Sequence, residues 1–61
     1  MDKLSEKELA SLNELLNEEE LLVKKFQMLA QHSSDAEVKA RFTEISEKHQ
    51  EHFNALYAQL G

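Results

Sequence analysis

One charged residue interrupts the apolar pattern of this sequence: Glu19, the middle of three consecutive glutamates within a leucine-rich stretch. An α-helix turns by about 100° per residue, so the flanking leucines share one face and Glu19 lies near the centre of that face. Glu18 and Glu20 point to either side of it, toward solvent. A carboxylate on the core side of a helix costs free energy unless another group pairs with it. The sequence must therefore provide Glu19 with a partner.

Two histidines are candidates for that partner. Counting equal distances from the turn predicted below pairs Phe26 with Phe42 and places Glu19 level with Lys48 and His49. His49 lies on the apolar face, and His52 follows one helical turn later. Carboxylates and imidazoles that project inward from facing helices are the ligands by which helical bundles hold iron, manganese or zinc. We therefore predict a transition-metal site formed by Glu19, His49 and His52. Protons compete with the metal for imidazole nitrogen, so metal uptake is expected to weaken between neutral pH and about pH 5.

The same residues also have an interpretation without metal. In that case His49 is a core histidine that hydrogen-bonds Glu19, and the pair fixes the register of the helices and the geometry of a dimer. Lys48 is another group that can neutralise Glu19 by extending along the helix surface. His52 then reaches water at the edge of the apolar stripe. His32, near the turn, is expected to act as a cation at a helix C-terminus.

The composition predicts an all-α protein. The chain has 61 residues, no proline, no cysteine and one glycine, which is its last residue. A chain rich in Leu, Glu, Lys, Ala and Gln without internal helix breakers favours helices. The absence of cysteine excludes disulfide bonds and thiolate metal sites.

Charge and hydropathy exclude several classes of partner. The net charge of −5 argues against nucleic acid and against anionic membrane surfaces. The longest apolar run, Leu21-Leu22-Val23, is far too short to span a bilayer, and the N-terminal residues lack a signal-peptide core. A cytoplasmic protein is expected. Neither a Ser-His-Asp set nor a glycine-rich phosphate loop occurs, so we assign no catalytic residues.

The apolar pattern predicts two helices joined by one turn. Ser5 and Glu8 form a capping box, so the first helix is predicted over about residues 5–31. The turn is predicted at about residues 32–34, and Ser34 with Glu37 forms a second capping box that starts a helix over about residues 35–60. A short connection makes the helices antiparallel neighbours, so residues 1–61 form a single αα-hairpin.

A lone hairpin cannot cover its own apolar faces. Two helices leave much of both apolar stripes exposed to water, whereas a homodimer closes them into a four-helix bundle. Closed two-fold symmetry is the commonest arrangement for such a dimer. The dimer would hold two copies each of Glu19, His49 and His52 in one layer of its interior. We therefore predict a homodimeric four-helix bundle.

The sequence resembles half of a ferritin-like bundle. The resemblance is carried by Leu-Asn-Glu-Glu-Glu and Lys-Lys-Phe in the first helix, and by Arg-Phe, Ile and Glu-Lys-His-Gln-Glu-His-Phe in the second. In particular, the chain is similar to the short Coat F-type spore coat proteins of spore-forming bacteria over about residues 8–60. This resemblance implies a glutamate on the first helix and a Glu-x-x-His on the second, which join into a di-iron carboxylate site.

The chain matches only part of that family pattern. Glu19 matches the first-helix glutamate, and either His49 or His52 matches the histidine, but Ser46 stands three residues before His49 in place of glutamate. A dimer would therefore supply two carboxylates, fewer than a di-iron carboxylate site uses. The resemblance thus implies zinc or a structural remnant more readily than ferroxidase or peroxide chemistry. It also implies association with the spore coat, a structural or packaging role, and spore coat partners.

Overall fold

The chain folds into an all-α hairpin, as predicted. The computed structural model describes residues 4–61 and contains two α-helices, α1 (Glu6–His32) and α2 (Ala36–Tyr57). The first three residues of the predicted hairpin unit lie outside the described residues. After Tyr57 the chain tightens into a 3-10 helix, Ala58–Leu60, so the final turn predicted as α-helix has the narrower geometry that is common at helix ends. Within the described range, neither helix combines the length and hydrophobicity needed to cross a membrane.

The predicted capping box at the start of α1 is confirmed. The Glu8 backbone N–H donates to Ser5 Oγ at 3.1 Å, and the Ser5 backbone N–H donates to Glu8 Oε1 at 2.9 Å. Each side chain thus pairs with a backbone group that the helix itself leaves without a partner. The box therefore fixes the first residue of α1.

The predicted cap of α2 at Ser34 is wrong. Asp35 is the N-cap, and its Oδ1 accepts hydrogen bonds from the backbone N–H groups of Glu37 at 2.9 Å and Val38 at 3.0 Å. Ser33 instead ends α1, and its hydroxyl donates to the Asp35 carbonyl at 3.2 Å. A single carboxylate oxygen satisfies two helix N–H groups here, whereas a capping box at Ser34 would start the helix one residue earlier. The turn therefore occupies residues 33–35.

The two helices form a layer only one helix thick. The Cα atoms extend over 47 × 16 × 10 Å. The apolar residues that become buried all lie on the side of α1 that faces α2; they are Leu12, Leu16, Val23 and Ala30. Three apolar side chains on one side of the hairpin keep about two fifths of their surface exposed: Leu15 at 45%, Leu29 at 37% and Val38 at 42%. Elsewhere on α1, Leu21 and Met28 are 66% and 60% exposed. The hairpin thus has a narrow seam of buried residues and an apolar side that remains open.

A small polar residue brings the helices together at the centre of this seam. Ser46 is only 4% exposed, and its hydroxyl donates to the Val23 carbonyl across the hairpin at 3.3 Å. A serine side chain leaves room for a close approach of the two backbones, and the hydrogen bond satisfies its buried hydroxyl. Sequence reasoning missed this role and considered Ser46 only as a replacement for a family glutamate.

The corrected cap gives a test by substitution. Asp35→Ala is expected to lower the free energy of unfolding by about 1 kcal/mol, because two N–H groups of α2 lose their acceptor. Urea unfolding followed by circular dichroism measures this change. Ser34→Ala is the matched control and should leave stability unchanged. An equal loss in the two variants would contradict the assignment of the cap to Asp35.

The capping box of α1 predicts a pH effect. Hydrogen bonds from the Ser5 backbone N–H and from its side chain hold the pKa of Glu8 below its usual range. The folded state therefore favours the ionised carboxyl, so its stabilising contribution is present above the unfolded pKa and is lost as pH falls through the lower folded pKa. An NMR titration of the Glu8 carboxyl carbon should show the low pKa, and Ser5→Ala should raise it. Alanine keeps the backbone N–H at position 5, so the rise should be partial, and a Glu8 pKa in its usual range in the unchanged chain would contradict this account.

Candidate metal centre

Glu19 and His49 meet across the hairpin, as the count of levels predicted. His49 Nδ1 lies 2.6 Å from Glu19 Oε1, and their side chains are 23% and 19% exposed. In the tautomer with a proton on Nδ1, the imidazole donates this hydrogen bond and leaves Nε2 free as a metal ligand. The glutamate that interrupts the leucine pattern thus has a direct partner on the other helix.

His52 approaches the same carboxylate from the edge of α2. Its Nδ1 lies 3.6 Å from Glu19 Oε2, and its side chain is 61% exposed. The rings of His49 and His52 are almost perpendicular, with centroids 5.6 Å apart and an interplanar angle of 84°. Glu19 therefore has one imidazole close to each of its two oxygens, and one of these imidazoles is open to solvent.

An aromatic wall fixes the position of His49. The Phe26 ring stacks against the His49 ring with centroids 6.0 Å apart and an interplanar angle of 12°. Phe26 also packs against Phe42 at 5.9 Å, a pair that the level count predicted. Sequence reasoning missed the contact between Phe26 and His49. A signal for this contact exists in the sequence. Phe26 follows Glu19 by seven residues, and His49 follows Phe42 by seven, so the two pairs lie about two helical turns apart on one face of each helix.

The three side chains fit a metal ion of the first transition row. Glu19, His49 and His52 each offer one ligand atom, and these atoms all lie within 4.8 Å of one another. Zinc bonds to nitrogen and oxygen ligands are about 2.0–2.2 Å long, so ligand atoms around one ion lie roughly 3–4 Å apart. Small side-chain rotations are enough to close the remaining difference. Two imidazoles with one carboxylate also favour such metals over calcium and magnesium, which prefer oxygen ligands.

Two other residues considered from the sequence, Lys48 and His32, do not join this cluster. Lys48 is exposed and forms no ion pair with Glu19 among residues 4–61. His32 lies in the last turn of α1, where its Nδ1 is 2.9 Å from the Met28 carbonyl oxygen. An imidazole at that end of a helix satisfies a terminal carbonyl and complements the negative end of the helix dipole. The candidate centre therefore consists of Glu19 and two histidines.

Comparisons with protein-family models, with curated proteins and with solved structures found no match. The function of the cluster therefore has to be argued from its own side-chain chemistry.

Without metal, the Glu19–His49 pair is expected to stabilise the fold no more than a pair of leucines would. Glu19→Ala alone is expected to lower the free energy of unfolding by about 1–3 kcal/mol, because the half-buried His49 loses its hydrogen-bond partner. Changing Glu19 and His49 together to leucine removes both polar groups, which is expected to leave stability equal or to raise it by about 1–2 kcal/mol. Chemical unfolding in the presence of a chelator measures both changes. A double variant that is less stable than Glu19→Ala would contradict this expectation.

Proposed function

We propose that this protein is a small homodimeric four-helix bundle that binds a transition metal through Glu19, His49 and His52. The observation that carries the proposal is the convergence of these three ligand atoms within 4.8 Å from two different helices. A carboxylate within an apolar stripe needs a partner, and two imidazoles of α2 lie beside the two oxygens of Glu19. Metal binding gives all three residues a common role.

The donor set narrows the choice of metal. Imidazole suits zinc, copper, iron and nickel, and the neutral ring is the form that binds. The carboxylate lowers the net charge of a bound divalent ion. Zinc fits the set best, and iron and manganese remain within the proposal. We propose metal binding and assign no reaction, because a single carboxylate per hairpin falls short of a di-iron carboxylate centre.

The open apolar side of the hairpin supports the dimer. A layer 10 Å thick has no interior on that side, and Leu15, Leu29 and Val38 are all more than a third exposed. A second hairpin placed over this side converts one layer into two and buries these residues. Two-fold symmetry gives both hairpins the same contact, so the assembly closes at two copies.

The family resemblance adds a cellular context to the proposal. A helical hairpin with an inward glutamate and histidines is similar to half of a ferritin-like bundle and to short Coat F-type proteins. On that basis we propose a spore-associated protein with a structural or packaging role and with spore coat partners. The resemblance, carried by the sequence pattern, is the support for this part of the proposal.

One observation favours a second function. The 2.6 Å hydrogen bond between His49 and Glu19 already satisfies both groups without an ion. A metal-free structural or interaction module would use this polar pair to fix the helix register and the dimer geometry. In that function His52 would be a solvated side chain at the rim of the pair.

Metal occupancy distinguishes the two functions. Protein produced without a histidine tag is expected to contain zinc or iron by elemental analysis, and a chelator is expected to lower its melting temperature. An ion present at about 100 times its dissociation constant stabilises the folded state by about 2.7 kcal/mol. Glu19→Ala and His49→Ala should abolish zinc binding by calorimetry, with the loss of a ligand as the physical reason.

Glu20→Ala is the matched control, because Glu20 is exposed and pairs with Lys24 on the surface at 3.8 Å. This variant should bind zinc as the original chain does. If no metal copurifies, no zinc binds and the chelator leaves the melting temperature unchanged, the metal-free module is the correct function.

A further inference from the structure

The candidate metal cluster shares one residue with the open apolar side of the hairpin. Two rows at seven-residue spacing line that side: Leu15, Leu22 and Leu29 on α1, and Val38, Ile45 and His52 on α2. Residues seven apart lie within about 20° of one another around a helix, so each row is nearly straight. His52 is the polar member of its row, and it is also a candidate metal ligand.

The contact between Glu19 and His49 places both rows on the same side of the hairpin. Leu22 follows Glu19 by three residues and His52 follows His49 by three, so each lies about 60° back around its helix. Because the helices are antiparallel, an equal rotation on each helix carries the two side chains to one side. The cluster therefore opens onto the side that bears both apolar rows.

The opposite side of the hairpin carries charged and amide side chains. Glu20 and Gln50 follow Glu19 and His49 by one residue, which turns them about 100° in the other direction. They line a groove there together with Lys24. The side that bears His52 is thus the side with apolar surface left to bury.

That side is large enough for a stable contact with a second copy. The broad face of the hairpin measures 47 × 16 Å between Cα atoms, which is roughly 750 Å². Stable protein–protein contacts bury about 800 Å² on each partner. Leu15 and Val38, at 45% and 42% exposure, still have apolar surface to bury in such a contact. The occupant is the second hairpin of the proposed dimer.

His52 meets an apolar row whichever way the second hairpin lies. With both turns at the same end, α1 covers α2 of the other copy, and His52 is level with the partner's Leu15. With the turns at opposite ends and the α2 rows centred on Ile45, His52 is level with the partner's Val38. Both arrangements replace water around His52 with an aliphatic side chain.

Without metal, the loss of water around His52 has little compensation. Its side chain is 61% exposed, and its Nδ1 lies 3.6 Å from Glu19 Oε2, which is longer than a hydrogen bond. Covering a polar ring that has no partner opposes association. An ion held by Glu19, His49 and His52 gives the ring a partner and removes this penalty. We propose, on the basis of the proposed function, that zinc binding and self-association strengthen each other through His52.

Sedimentation equilibrium in zinc and in chelator tests this linkage. Zinc is expected to lower the dissociation constant of the dimer by about tenfold or more, within the range that coupled binding equilibria show. If calorimetry shows that zinc binds while the dissociation constant stays unchanged or rises, the linkage is overturned and the proposed function stands. A chain that binds no zinc, or that stays monomeric with zinc bound, would contradict the proposed function itself.

Replacing His52 separates the effect of the imidazole from that of the metal. In chelator, His52→Leu is expected to dimerise about tenfold more tightly than the original chain, because its α2 row is then apolar throughout. Zinc should not tighten this dimer further, since a ligand is lost. A His52→Leu dimer no tighter in chelator than the original one would overturn the proposal.

Gln50→Leu is the matched control, because it adds the same side chain on the opposite side of the hairpin. It should keep the dissociation constant of the original chain and its response to zinc. A gain in association equal to that of His52→Leu would show that any added leucine promotes association, and would also overturn the proposal.

Reciprocity provides an independent measurement. Coupling between two binding equilibria acts equally in both directions, so zinc must bind the dimer more tightly than the monomer. Competition with a metal-binding dye, at protein concentrations below and above the dissociation constant, measures both affinities. Equal zinc affinity in monomer and dimer would overturn the proposal.

Discussion

The fold depends on one constraint, which is that two packed helices have no interior apart from the seam between them. A layer whose Cα atoms span 10 Å buries only the side chains that point from one helix to the other. The centre of that seam accepts small residues, such as Ala30 on α1 and Ser46 on α2, which are 7% and 4% exposed. Leu12, Leu16 and Val23 are buried in the same seam, and the other large apolar residues of the described chain remain partly exposed to water. The same thin seam allows a glutamate to face the other helix.

Glu19 is tolerated because it is only partly withdrawn from solvent. A fully buried carboxylate would carry a desolvation cost of several kcal/mol. The Glu19 side chain keeps 19% exposure and accepts a hydrogen bond from His49, and the Phe26 ring stacks against the ring of that histidine. The polar pair and its aromatic neighbour thus form one unit that also sets the register of the hairpin. A candidate site and a structural contact here use the same atoms, which is why only metal occupancy separates their functions.

The sequence was sufficient for the features that depend on periodicity. The apolar spacing and the level count predicted two helices, the contact between Phe26 and Phe42, and the meeting of Glu19 with His49. The sequence was insufficient to choose the N-cap of α2, because two neighbouring residues can both cap a helix. Ser34 and Asp35 are both good helix caps, and the choice depends on how the chain leaves α1, where the hydroxyl of Ser33 bonds the Asp35 carbonyl. That turn geometry has no signature in residue type.

The burial of Ser46 and the exposure of His52 depend on how the helices pack. The apolar spacing of the sequence did not decide either one. Ser46 is buried because the backbones approach closely at Val23, whose carbonyl accepts its hydroxyl, and no periodicity distinguishes it from a surface serine. His52 lies only one helical turn from His49, yet its side chain is 61% exposed whereas that of His49 is 23% exposed. Three residues turn α2 by about 300°, so His52 lies about 60° from His49 around the helix and reaches the rim of the seam.

The exposure of His52 bears on the kind of metal site that the cluster can be. Structural zinc sites are closed, with four protein ligands that exclude water. The hairpin instead offers three candidate ligands, one of which is mostly exposed, so water and competing ligands would reach a bound ion. For a given set of nitrogen and oxygen ligands, affinity rises from manganese through iron to copper and falls again at zinc, so affinity alone does not single out one metal. A zinc ion bound by this cluster would exchange more readily than one in a closed site, because the His52 side chain of the hairpin is open to solvent.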